Sequence, residues 1–139
     1  MLRPLRRGMP IVDVVFLNRR LQLVGGAWDG LIDTGAEQTA IPWKCRKLSG
    51  VARTRDLTTL GGFDPRVPRR KYPTYIVVLK TPSLGPVKLK VIAIPRRRTV
   101  LLGRDFLKGH VFAYDGPNGW FGLRRSARVG KSAKKLFDE

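Results

Sequence analysis

Leu31-Ile32-Asp33-Thr34-Gly35-Ala36 is the stretch on which the reading of this chain turns. Two apolar residues carry a strand toward an interior, and an acid, a hydroxyl and a glycine follow at once. A carboxylate at the end of a buried strand is costly unless it is solvated or hydrogen-bonded. Gly35 permits the sharp turn that brings amide donors to it, and the Thr34 hydroxyl can fix the loop. Taken alone, the triplet reads as an Asx turn closing a strand. A second stretch changes its weight: Thr99-Val100-Leu101-Leu102-Gly103-Arg104-Asp105-Phe106-Leu107 is an apolar strand that ends in glycine and passes into a short helix.

Outward from these two, short apolar segments alternate with Gly, Pro and basic clusters, which predicts an all-β domain. Ile11 to Leu17 is a strand, Asn18-Arg19-Arg20 a turn and Leu21 to Val24 the return; Gly25-Gly26 is expected to break the chain before Ala27 to Asp33. Thr39 to Trp43 and Tyr75 to Lys80 are further strands, with a turn over Thr81 to Pro86. Val87, Leu89, Val91 and Ala93 alternate with Lys88 and Lys90, the pattern of a half-exposed strand. Val111 to Asp115 and Trp120 to Leu123 flank Gly116-Pro117-Asn118-Gly119, a hairpin signal. Helix is expected only from Asp105 to Lys108, stopped by Gly109, and weakly from Ser126 to Phe137. The chain thus divides into a basic N-terminal extension (1–8), a core domain (9–123) and a basic C-terminal tail (124–139).

Composition bounds the function. The 139 residues are 42% hydrophobic and 27% charged, enough apolar material for one modest core. With one cysteine (Cys45) and one histidine (His110), neither an intrachain disulfide nor a four-ligand zinc site can form. Lys44, Arg46 and Lys47 around Cys45 favour a thiolate, yet only His110 could activate it, so both read as packing residues. Asp105 reads as a helix-flanking acid. No apolar run approaches the roughly 18 residues of a membrane span, and the Arg-rich start makes a poor secretory signal, which leaves a cytoplasmic location as the expectation. Twenty-eight Lys and Arg against 10 Asp and Glu give +18, more than solubility requires. A basic β-domain binding nucleic acid or another polyanion is therefore a competing function, although the basic clusters are scattered over turns and match no recognition motif. Trp28, Trp43 and Trp120 show no spacing of a base-stacking platform.

Between the two decisive stretches lies Thr59-Leu60-Gly61-Gly62-Phe63. Strand-Asp-Thr-Gly-Ala, a Gly-Gly loop, then Leu-Leu-Gly-Arg-Asp, in that order within one small β domain, resembles the retropepsins, the retroviral-type aspartic proteases, over roughly residues 10 to 123. The resemblance implies a closed, mostly antiparallel, barrel-like acid-protease fold with one short helix, assembled as a C2 homodimer. It implies an aspartic endopeptidase, whose chemistry needs two carboxylates sharing one proton. One Asp-Thr-Gly per chain means that Asp33 of each copy faces the other across the axis, and that a monomer is inactive.

By the same resemblance Thr34 would bond across the axis and Gly35 would keep the backbone near the carboxylate. Ala36, Glu37, Gly61, Gly62, Phe63 and Leu101 would line the substrate site. Gly103 and Arg104 would support it, Arg104 through an ion pair with Glu37. Gln38 stands where retroviral members often carry a second acid, so their substrate preferences are a poor guide. Ala36 omits a hydroxyl that two-lobed relatives place near the carboxylate, and mildly rather than strongly acidic conditions are expected to favour activity. The segment from Asp64 to Pro73 reads as a stiff solvated loop, with a preference for acidic substrates through Arg69 and Arg70 as the sharper alternative. No metal or cofactor is implied, because the nucleophile is water. The expected partners are a second copy, a polypeptide substrate and, through the basic surface, a polyanion.

Overall fold

A computed structural model describes residues 1–60, 66 and 69–126, and the expectations for Gly61, Gly62, Phe63 and a helix beyond Ser126 lie outside the described residues. Its strands are β1 (Leu2–Pro4), β2 (Ile11–Leu17), β3 (Leu23–Ile32), β4 (Ala40–Pro42), β5 (Ala52–Leu60), β6 (Arg70–Lys80), β7 (Val87–Ile94), β8 (Val100–Leu102), β9 (His110–Asp115) and β10 (Trp120–Arg125). One helical turn, α1 (Arg104–Leu107), and a 3₁₀ turn at Trp43–Lys47 complete the inventory of the described chain.

Strand alternation decides the inside. In β2, Val12, Val14 and Phe16 are buried while Asp13 points outward. The main sheet runs β2-β3-β8-β4-β7-β6-β5. Pairing of β2 with β6, from Val15↔Lys80 to Leu17↔Val78, closes six of these strands into a barrel, and β5 hangs on β6 outside the ring. Most pairings are antiparallel; β3 with β8 and β4 with β7 are parallel. The barrel is filled by Val14, Phe16, Ile41, Leu79, Val100 and Leu102, all at 0% exposure. Each large side chain so buried contributes about 1.5–3 kcal/mol. A second sheet, β1-β10-β9, packs Phe121 and Leu123 against the same core.

Three features depart from the sequence reading. Gly25-Gly26 does not break the chain: β3 runs through them, and the β2 pairing slips between Val14↔Trp28 and Phe16↔Val24. The extra β3 residues bulge there, with Gly25 at φ +70° supplying the left-handed backbone that a bulge needs. The segment 1–8, read as an extension, contains β1, which pairs with Trp120–Gly122 of β10. Arg6 in that segment reaches Asp29 at 3.3 Å and Asp13 at 3.9 Å. Those two acids sit directly opposite in the β2–β3 ladder, and Arg6 answers their repulsion. Finally, β5 has no counterpart in the pattern, because Arg53, Arg55, Asp56 and Leu57 are all exposed on an edge strand.

Candidate active site

β3 and β8 run side by side in the same direction, Gly30↔Val100, Leu31↔Leu101 and Ile32↔Leu102, so Asp33 and Gly103 leave the barrel at the same end. Tight crossing makes this possible: a Cβ at Gly30 would lie 2.5 Å from a Val14 methyl and 3.1 Å from the Val12 carbonyl. Beyond Ile32 the chain turns at once. The Asp33 amide donates to the Leu102 carbonyl at 2.9 Å, and the Ala36 amide donates back to the Asp33 carbonyl at 3.2 Å. The Gly35 amide donates to Asp33 Oδ1 at 2.9 Å, while Oδ2 accepts nothing among the described residues. A Cβ at Gly35 would stand 3.1 Å from Oδ1 and crowd the carboxylate. Asp33 is half-buried; Thr34, Gly35 and Glu37 are exposed.

The start of α1 clamps this loop. The Arg104 amide donates to the Ala36 carbonyl at 2.7 Å and the Asp105 amide to the Glu37 carbonyl at 3.3 Å. Arg104 Nη1 donates to the Thr34 carbonyl at 3.0 Å. The expected Glu37–Arg104 ion pair is absent among the described residues: the guanidinium spends its reach on a backbone carbonyl, and an exposed pair would add little stability. Gly103 is sterically required, since a Cβ there would lie 2.8 Å from the Gln38 carbonyl carbon and 2.9 Å from the Ala36 oxygen.

The sequence reading missed Thr39 and underrated Asp105. Asp105 accepts the Thr39 amide at 3.0 Å and the Thr39 hydroxyl at 2.7 Å, and the Gly103 amide donates to that hydroxyl at 3.1 Å. Asp105 also accepts the Phe106 amide at 2.8 Å, so its helix-flanking role is kept, but its main task is to join the two ends of the site. Thr39 is fully buried; a polar residue at the head of the apolar run Ala40-Ile41-Pro42 was the available signal.

A groove of about 490 Å³ runs beside the loop. Gly35, Ala36, Glu37 and Leu101, all expected in the site, line it. So do Thr58 and Thr59 of β5, Ile92 and Ile94 at the end of β7, and two cations, Arg69 and Arg97. Burial holds Arg97 below its ordinary pKa, and the negative charge of Asp33 pulls it partly back. Cys45 is fully buried and its thiol is pushed up to about 12, so the neighbouring cations produce no thiolate. His110 stacks on Phe106 with centroids 4.3 Å apart and bonds the Phe106 carbonyl through Nδ1 at 2.8 Å. Among the described residues no group of His, Cys, Asp and Glu gathers to hold a metal ion, and no helix is long and apolar enough to cross a membrane.

The chain is similar to retropepsin-like aspartic proteases of solved structure. A retropepsin-like aspartic protease from Rickettsia conorii aligns at 15% identity and a TM-score of 0.48, over 83% of this chain and 92% of that one. The EIAV protease in complex with the inhibitor HBY-793 aligns at 20% identity and a TM-score of 0.44, over 71% and 85%. No family model matches the sequence, and no curated protein does.

Proposed function

We propose that this protein is a retropepsin-like aspartic endopeptidase in which Asp33 of two identical chains forms the catalytic dyad. One observation carries the reading: a half-buried carboxylate is held rigidly by one oxygen, its other oxygen takes no bond, and a substrate-sized groove opens beside it. A free carboxylate oxygen on a fixed loop suits proton sharing with a second copy. The loop is fastened by bonds to residues about seventy positions away, which is the rigidity such chemistry needs.

In the reaction the ionised Asp33 takes a proton from water as its oxygen attacks the scissile carbonyl carbon. The protonated Asp33 of the other chain gives its proton to the carbonyl oxygen. As the tetrahedral diol collapses and the C–N bond breaks, the amine leaves with the proton held by one Asp33 and a hydroxyl of the diol returns its proton to the other, so the dyad is again singly protonated. Each step moves a proton between groups already named, so no further reactant is needed. Substrate would lie extended in the groove, pairing with backbone groups as an added strand.

The test is cleavage of a diverse peptide pool at mildly acidic pH, read by mass spectrometry, for wild type and Asp33→Asn. Loss of cutting by at least about a hundredfold in the variant is expected, as for removal of an acid–base catalyst. Specific activity of the wild type should also fall on dilution, as chains separate. Cutting that survives Asp33→Asn, or a stable dimer that cuts nothing, overturns the proposal.

A further inference from the structure

Arg97 lies on the turn between β7 and β8, the turn that leads into the strand delivering Gly103. Its side chain is half-buried, and its guanidinium is fixed: Nε donates to the Thr99 carbonyl at 2.9 Å and one terminal nitrogen to the Thr99 hydroxyl at 3.3 Å. The other terminal nitrogen, Nη1, has no hydrogen bond, and no carboxylate of the described residues pairs with Arg97. A half-buried guanidinium without a carboxylate is uncommon. Arg69 lines the same groove, likewise without an ion pair among the described residues. Among the described residues the one acid lining the groove is Glu37, which is exposed.

Arg97 also borders a second groove, of about 710 Å³, formed with Trp28, Trp43, Lys44, Arg96 and Arg98. Among the described residues every charge lining that side is positive, and the acid whose charge acts on Arg97 is Asp33, on the side of the first groove. Arg96 is held at φ +64°, a conformation costly for a residue with a side chain, and the turn keeps its three consecutive arginines despite that cost.

We infer that Arg97, with Arg69 on the same groove, is a specificity-determining residue that seats an acidic side chain of the substrate beside Asp33. A fixed guanidinium with a free N–H face recognises a carboxylate by charge and by direction at once. The same arrangement disfavours a basic side chain, so selection works by repulsion as well as attraction. The inference rests on the endopeptidase reading for its meaning, but binding tests it independently.

The experiment has two arms. In the first, peptide-pool cleavage is profiled for wild type, Arg97→Gln, Arg97→Lys and the remote exposed-turn control Arg20→Gln. Wild type and Arg20→Gln should show Asp and Glu enriched at one position relative to the cut. Arg97→Gln should lower kcat/KM for a Glu peptide relative to its Gln twin by about tenfold. Arg97→Lys, which keeps the charge, should retain most of the preference. In the second arm the Asp33→Asn protein, alone and combined with each substitution, captures peptides from the same pool without cutting. Retained peptides should be less acidic with Arg97→Gln than with Arg20→Gln, although the two proteins carry equal net charge. If no protein cuts, the endopeptidase reading fails while the capture arm still decides on Arg97. Equal acidity of the peptides captured by the two variants, or equal loss of preference in Arg97→Gln and Arg97→Lys, overturns the inference.

Discussion

Thr39 and Asp105 carry more of the site than their places in the sequence suggest. The Thr39 hydroxyl donates to Asp105 and accepts from Gly103, so one buried oxygen joins the strand after the loop to the helix beside it. Thr39→Val keeps the shape and removes both bonds, leaving the Gly103 amide buried without its partner. The expected cost is about 2–3 kcal/mol of unfolding free energy, measured in urea, with Thr39→Ser recovering most of it. A loss below about 0.5 kcal/mol would mean that water replaces the hydroxyl. At this scale the sequence was legible where a residue type has one use: an acid, a hydroxyl and a glycine closing an apolar strand announced the loop at Asp33. It was illegible where several partners competed. The resemblance paired Glu37 with Arg104, but Arg104 donates to the Thr34 carbonyl, a kind of acceptor that every residue owns.

Among the elements, β2, β7 and the β9–β10 hairpin could be read from alternation and turn residues, because each has one face in the core. β1 and β5 could not. Their described side chains are mostly exposed, so they are defined by backbone pairing with distant partners and leave no hydrophobic period. The junction of α1 and β9 carries a pH dependence of its own. Burial against Phe106 holds His110 below the ordinary histidine range, with the Phe106 bond raising it and the Arg125 charge lowering it further. The unfolded chain therefore binds the proton more readily. The stabilisation from neutral His110 is complete above the unfolded pKa of about 6.5 and is lost as pH falls through the lower folded value. Urea midpoints should decline between about pH 7 and 5.5 in wild type and decline less in His110→Gln. Equal slopes would show that other groups set the dependence.

For the molecule as a whole, charge is the dominant quantity. Each chain carries +18, so the proposed dimer would bring two such chains together against their mutual repulsion. Salt screens that repulsion over a Debye length of about 8 Å at physiological ionic strength. Sedimentation should therefore show the dimer tightening several-fold between about 50 and 500 mM salt, the opposite of a dimer held by ion pairs. A short RNA added at low salt should produce the same tightening if polyanions bridge the chains; weakening with salt in the absence of RNA would sink the repulsion argument. The all-β class was legible at this scale from the rhythm of short apolar segments, and the closed barrel only through the resemblance; its closure by β2 and β6 left no local signal, since that pairing links residues 15–17 to 78–80. The same long reach governs when the Asp33 loop comes into being. Asp33 lies in the first quarter of the chain, but its fasteners Arg104 and Asp105 come 70 residues after Thr34 and 66 after Thr39. Loop closure over such distances is slow, and during synthesis it must wait until β8 and α1 have left the ribosome. Until then Asp33 is a solvated acid at the end of an unpaired segment, and on the endopeptidase reading a nascent chain would be born without the means to cut itself or its neighbours.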